Sequence, residues 1–161
     1  TLEPGLTPQQ EVVHLSLGKA QAVAAGHSEP AVVLSADTVV ELDGEILGKP
    51  HSEAEAAEML RALSGRSHRV LTGVTVMGSE GTMTHCEETE VYFRPLTEEE
   101  IQWYVGTGEP MDKAGAYGIQ GYAAMFIEKI HGDYYNVMGL PVCRVGLMLR
   151  QAGIPLLGAE A

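Results

Sequence analysis

Two stretches of this 161-residue chain hold residues whose types and spacing could do chemistry. In the first, AVVLSADTVVELDGEILGKP from Ala31 to Pro50, the Asp37 carboxylate interrupts an apolar run of Val32, Val33 and Leu34 that resumes at Val39 and Val40. An Asp in that setting needs a cation, hydrogen bonds or an opening into a pocket. Lys49, leaving a hairpin in a Gly-Lys-Pro context, is the cation expected to return towards Asp37. The same residues also fit a structural reading, with Asp37 hydrogen-bonded at a strand end and Lys49 on a solvated loop.

The second stretch runs from Gly106 to Gly121, where five glycines in sixteen residues accompany Asp112, Lys113, Tyr117 and Gln120. Glycine lets backbone N–H groups approach an anion, Lys113 adds charge, and Gln120 can both donate to and accept from a base edge. The spacing matches neither the P-loop nor the dinucleotide fingerprint. A glycine-rich Ω-like loop packed over the core fits the composition too.

Several elements must position these residues. Thr7-Pro8-Gln9-Gln10 is a capping-box start for a helix reaching about Ala25, with Val12, Leu15, Val23 and Lys19 on one face. Lys19 there fits a snorkelling lysine. Val32 to Val40 reads as a strand buried on both faces, and Asp43-Gly44 as the type I′ turn of a hairpin returning through Glu45, Ile46 and Leu47. Ser52 and Glu55 open a second helix by another capping-box pair, ending at Ser64-Gly65. Arg69 to Met77 and Thr82 to Phe93 make a long hairpin, expected at one side of a mixed sheet. Thr97 caps a third helix with Glu100. Tyr122 to Ile130 reads as a strand, His131 to Asn136 as a polar turn, and Pro141 opens a last helix with Val142, Val145 and Leu149 inward. His68 and His85 lack ligand partners at useful spacing and are expected on the surface. Glu87, Glu88 and Glu90 read as a solvated strand face.

Composition narrows the partners. The chain is 45% hydrophobic and 20% charged, enough for one globular domain with a sizeable core. Its formal charge of -12 and scattered Lys and Arg argue against nucleic acid and anionic membrane. A small phosphate-bearing substrate would need a few placed cations, with a divalent metal as a further source of charge. Cys86 and Cys143 cannot form a disulfide framework, so reduced thiols and a cytoplasmic setting are expected. No apolar run approaches the roughly 18 residues of a membrane span.

The sequence resembles the Maf, or septum-formation-inhibitor-like, nucleotide pyrophosphatases. The matching pieces are Ala36 to Val40, Gly44 to Pro50, Leu63-Ser64-Gly65-Arg66, Leu71-Thr72-Gly73-Val74, Gly108 to Gly115 and Tyr117 to Gly121, with Lys19-Ala20 in the first helix and Asn136-Val137 before Gly139-Leu140-Pro141. The resemblance implies an α/β fold of one domain, a mixed twisted sheet flanked by helices. It also implies Mg²⁺- or Mn²⁺-dependent hydrolysis of a nucleoside triphosphate to the monophosphate and pyrophosphate. Asp37 falls on the family's proton acceptor and is a candidate metal ligand, and Lys19 and Lys49 fall on its phosphate-site lysines. These groups, with the loop from Asp112 to Gln120, are expected to converge on one cleft. Lys113 is expected to bind substrate. Thr38 and Gln120 match the pyrimidine-preferring group, so dTTP and UTP are the expected substrates. A 7-methyl-GTP pyrophosphatase or a non-catalytic nucleotide-binding regulator of cell division is the alternative, and a homodimer is left open.

One part of the family pattern is absent. The Ser-x-Ser-Pro-Arg-Arg motif that lines the triphosphate pocket does not occur in these residues. The loop-like start without methionine leads to the expectation that about forty residues, roughly a strand and a helix, precede Thr1.

Overall fold

The computed structural model describes residues 4–158. Its elements are α1 (Pro8–Ala25), β1 (Val33–Leu42), β2 (Glu45–Leu47), α2 (Glu53–Leu63), β3 (Ser67–Gly78), β4 (Gly81–Phe93), α3 (Glu98–Gly106), β5 (Ile127–His131), α4 (Tyr134–Met138) and α5 (Val142–Gln151). The strands form one sheet in the order β2-β1-β3-β4-β5, flanked by helices in an α/β arrangement.

Every pairing is antiparallel, whereas a mixed sheet was expected. The reason is topological. β2 and β3 both run antiparallel to β1 and so point the same way, but β1 lies between them and no parallel ladder can form. The β3–β4 hairpin is likewise not at one side, since β3 is the central strand and is buried from Val70 to Val76. Burial on both faces is thus a property of β3. In β1 only Val39 to Leu42 are continuously buried, and Leu34 is exposed.

Local chemistry explains the element ends. Thr7 and Gln10 form the expected capping box on α1. At α2, Ser52 accepts from the Glu55 N–H, but the Glu55 side chain turns to the His51 N–H instead of closing a second box. Asp43 and Gly44 have φ of 54° and 85°, as a type I′ turn requires. Glu41 is buried beneath that turn, where it accepts from the Gly44 N–H and from Arg69.

Three expectations change towards the C-terminus. Tyr122–Met125 is a 3₁₀ turn, and β5 starts only at Ile127; Ala124 is exposed and Phe126 buried. A short apolar run does not by itself choose between strand and helix. The expected polar turn contains α4, whose N-cap Asp133 accepts from the Tyr135 N–H. In α5 Val145 and Met148 are buried and Leu149 packs against the same cluster as expected, while Val142 is half exposed and Pro141 is the N-cap.

The helices divide between the sheet's two faces. Val39 and Leu71 pack on Val12 of α1. Val40, Leu42 and Val70 face the opposite way, into the main core with α2 and α3, and Val74 and Val76 meet α5. Among the described residues, no helix is long and apolar enough to cross a membrane.

Candidate active site

Asp37 and Thr38 are neighbours in β1, and the period of two along a strand sends their side chains to opposite faces. On the α1 face, Lys19 Nζ donates to Asp37 Oδ1 at 2.6 Å, with the carboxylate 21% exposed and the lysine 56%. The lysine therefore does more than cover apolar surface. Its reach depends on how closely α1 lies on the sheet. Gly73 of β3 pairs with Asp37, and a Cβ added at Gly73 would fall 2.0 Å from the Val12 carbonyl oxygen. Only glycine allows that approach. Ser16 and Thr75 share a hydrogen bond of 2.9 Å beside it, and Ser35 donates to the Ser16 carbonyl.

On the other face lies a cavity of about 570 Å³, bordered by Thr38, Lys49, Lys113, Tyr117, Gln120 and Met138 among others. That volume suits a small ligand. The Thr38 hydroxyl is 2.8 Å from that of Thr72, which in turn donates to the Asn136 carbonyl at 3.3 Å. Asn136 is fully buried, its amide donating to the Val70 and Glu87 carbonyls and to Thr89 Oγ1. These bonds fix α4 against the sheet and close the cavity with Met138 and Gly139.

The expectation that Lys49 returns to Asp37 in a single cleft is corrected. β2 pairs Val40 with Leu47, and extending that register sets Lys49 opposite Thr38, on the cavity face. The ladder stops at Leu47 because the next carbonyl, of Gly48, accepts from the Gly115 N–H at 3.1 Å. Gly115 has φ of 71° and presses on Val40, so the glycine-rich loop sits directly on the sheet. Lys113 Nζ donates to Asp112 at 2.9 Å. That bond holds the Asp112 carboxyl below its usual value, and the nearby Lys49 charge adds a smaller push.

Structure thus gathers Lys19 with Asp37, and separately Thr38, Lys49, Lys113 and Gln120. β1 itself separates the two groups, and one side of the strand is open beside them. Residues 33–41 of β1 pair with β3, but only 40–42 pair with β2, so among the described residues the other side of Val33 to Val39 has no ladder partner.

His68, expected on the surface, is buried under the cavity wall, with Nε2 2.5 Å from the Tyr117 hydroxyl and its ring edge-on to Phe93 and Tyr117. Burial lowers its pKa to about 4, against a smaller opposing effect of Glu41, and burial raises that of Tyr117. His85 is half-buried and bonded to Glu87, which Arg144 also approaches, so the β4 acidic face is partly paired. Thr72, Glu109, Asn136 and Met138 are cavity or support residues that the sequence reading did not single out as site residues. Asp133, a good N-cap, was the available signal for the helix carrying Asn136 and Met138.

Residues 2–152 match the protein family described as Maf-like protein. The chain belongs to that family. Over 151 residues the Maf-like chain is 59% identical to a protein of Symbiobacterium thermophilum named dTTP/UTP pyrophosphatase, covering 93% of this chain and 77% of that one. Proteins of the same name from Bacillus mycoides and Bacillus velezensis are 55% and 52% identical, over 90% and 95% of this chain and 75% and 80% of theirs.

Proposed function

We propose that this Maf-like protein is a nucleoside triphosphate pyrophosphatase that hydrolyses dTTP and UTP to the monophosphate and pyrophosphate. The observation that carries the reading is that Thr38, Gln120, Lys49 and Lys113, from three separate parts of the chain, border one cavity. The relatives named dTTP/UTP pyrophosphatase support it.

A triphosphate lying across the open edge of β1 would meet Lys19 and Asp37 from one face and Lys49 from the other, with Lys113 behind. Asp37 then accepts a proton from a water whose oxygen bonds to the α-phosphorus. The bond from that phosphorus to the α–β bridging oxygen breaks, and pyrophosphate leaves with the electron pair. Lys19 occupies Oδ1 of Asp37, which leaves Oδ2 for the proton. The lysines offset charge growing on the phosphoryl oxygens.

Among the described residues, no three His, Cys, Asp or Glu side chains are placed to share a metal ion. Mg²⁺ or Mn²⁺ carried in on the phosphates would be held mainly by them, with Asp37 as the protein ligand only through a carboxylate lone pair that neither Lys19 nor the accepted proton takes. Such an ion would supply further neutralisation of phosphate charge.

In the cavity, the Gln120 amide offers an acceptor and two donors, enough to pair with N3–H and a carbonyl of uracil or thymine, while cytosine lacks that N3–H. Only with that amide held in one orientation does cytosine leave polar groups unpaired, and a site built that way rejects the wrong base by large factors. The test is kcat/KM for dTTP, UTP, CTP and 7-methyl-GTP, with and without Mg²⁺. Metal-dependent release of pyrophosphate from dTTP and UTP is expected. A preference for 7-methyl-GTP, or nucleotide binding without turnover, would overturn the reading.

A further inference from the structure

Gln120 is exposed, and its side chain has no hydrogen-bond partner among the described residues. An amide can also turn over about its last torsion and present the reverse pattern, which fits cytosine as well as the first pattern fits uracil. A side-chain amide alone therefore does not separate the two bases. Something must hold the segment around it, whose backbone N–H and C=O groups have a fixed polarity and border the same cavity through Gly118 to Gly121.

The structure contains such a brace. Tyr104 of α3 is fully buried, and its hydroxyl donates to Glu109 Oε1 at 2.9 Å while accepting from the Gly118 N–H at 3.3 Å. The other Glu109 oxygen accepts from the Tyr122 N–H at 3.1 Å. One tyrosine–glutamate pair thus grips both ends of the segment 118–122, with Gln120 at its centre. The glycines on either side of Gln120 lie flat on charged side chains. A Cβ at Gly121 would be 2.0 Å from Glu109 Oε1, and one at Gly118 would be 2.6 Å from Cε of Lys113. The glycines serve here to let the backbone rest on Glu109 and Lys113.

We propose that Tyr104 and Glu109 are positioning residues for base selection, holding the 118–122 segment so that it favours uracil and thymine over cytosine. This rests on the pyrimidine reading of the cavity given above. Removing the Tyr104 hydroxyl breaks the grip at Gly118 and loosens it at Glu109. The segment can then shift to suit cytosine, while the chemistry at Asp37, across the sheet, is untouched.

The experiment compares the UTP:CTP ratio of kcat/KM in the wild type, Tyr104→Phe, Glu109→Gln and Gln120→Ala. Tyr104→Phe should lower the ratio about tenfold, the scale of one or two lost hydrogen bonds, with kcat for UTP within about twofold of wild type. Glu109→Gln keeps the shape but turns an amide N–H₂ against either the Tyr104 hydroxyl or the Tyr122 N–H, so it should lower the ratio too. A ratio that falls in Gln120→Ala yet holds in folded Tyr104→Phe and Glu109→Gln overturns this inference alone. A wild type with no turnover of UTP, or a ratio indifferent to Gln120→Ala, overturns the cavity reading beneath it.

Discussion

The two faces of β1 are built on opposite principles. On the α1 face the helix backbone touches the sheet at Gly73, and the charged pair Lys19–Asp37 stands at the margin of that tight contact. On the other face the glycine-rich loop meets the strand at Gly115 and α4 is bonded to the sheet, and between these two anchor points about 570 Å³ stays open beside Thr38, Lys49, Lys113 and Gln120. On the proposed function, close packing would hold the reacting charges and the open space would admit the base. Because the strand has a period of two, consecutive residues can serve the two tasks without competing for one side of the sheet.

That contrast is breakable, most sharply at Asp37. Asp37→Asn should leave the fold and nucleotide binding in place while turnover falls by about a hundredfold or more, since the amide cannot take the proton. Steady-state rates at saturating Mg²⁺ measure this, and near-normal turnover would detach the chemistry from the α1 face. Next comes Gly73→Ala. The new methyl meets helix backbone, so α1 must lift, at a cost of roughly 1–3 kcal/mol of stability. Turnover should fall with it as Lys19 leaves Asp37, while the UTP:CTP ratio holds; a changed ratio with unchanged rate would mean that the faces are coupled. Smallest at neutral pH is the effect of His68, beneath the cavity. Its folded pKa near 4 lies below the ordinary 6.5, so the unfolded chain binds a proton that the folded one refuses. Stability from this source is complete above about pH 6.5 and is lost as pH falls towards 4. Thermal melts across that window should flatten in His68→Phe, which keeps the ring contacts; an unchanged slope would assign the acid loss to other groups.

Much of the framework was legible because it rests on local chemistry. Thr7 with Gln10, Asp43 with Gly44, and Thr97 with the Glu100 N–H each act within a few residues, and each is present as read. What the local pattern of residues left open or missed depends on tertiary placement. A lysine on the apolar side of a helix looks the same whether it snorkels or meets a carboxylate, and only the glycine contact at Gly73 decides for Lys19. His68 is buried because β3 is central, which no local pattern states. The four residues of Tyr122–Met125 and the five of α4 are too short for periodicity to speak. The separation of Asp37 from Lys49 was readable, since the hairpin register already set Lys49 opposite Thr38.

The sheet order also bears on how the chain acquires this site. β3 and β4 form a continuous ladder from Gly78–Gly81 to Ser67–Tyr92 around a tight turn, so their contacts close short loops. β1 reaches β3 only after α2 has crossed over, pairing Glu41 with Arg69 at the near end and Val33 with Met77 at the far end. Long closures are slower to gain than short ones. The hairpin is therefore expected to nucleate folding, with the strand that carries Asp37 and Thr38 docking late, and φ-values higher for Val91→Ala than for Val39→Ala would read that order. A chain arrested before that step would hold a nearly complete hairpin and neither half of the site.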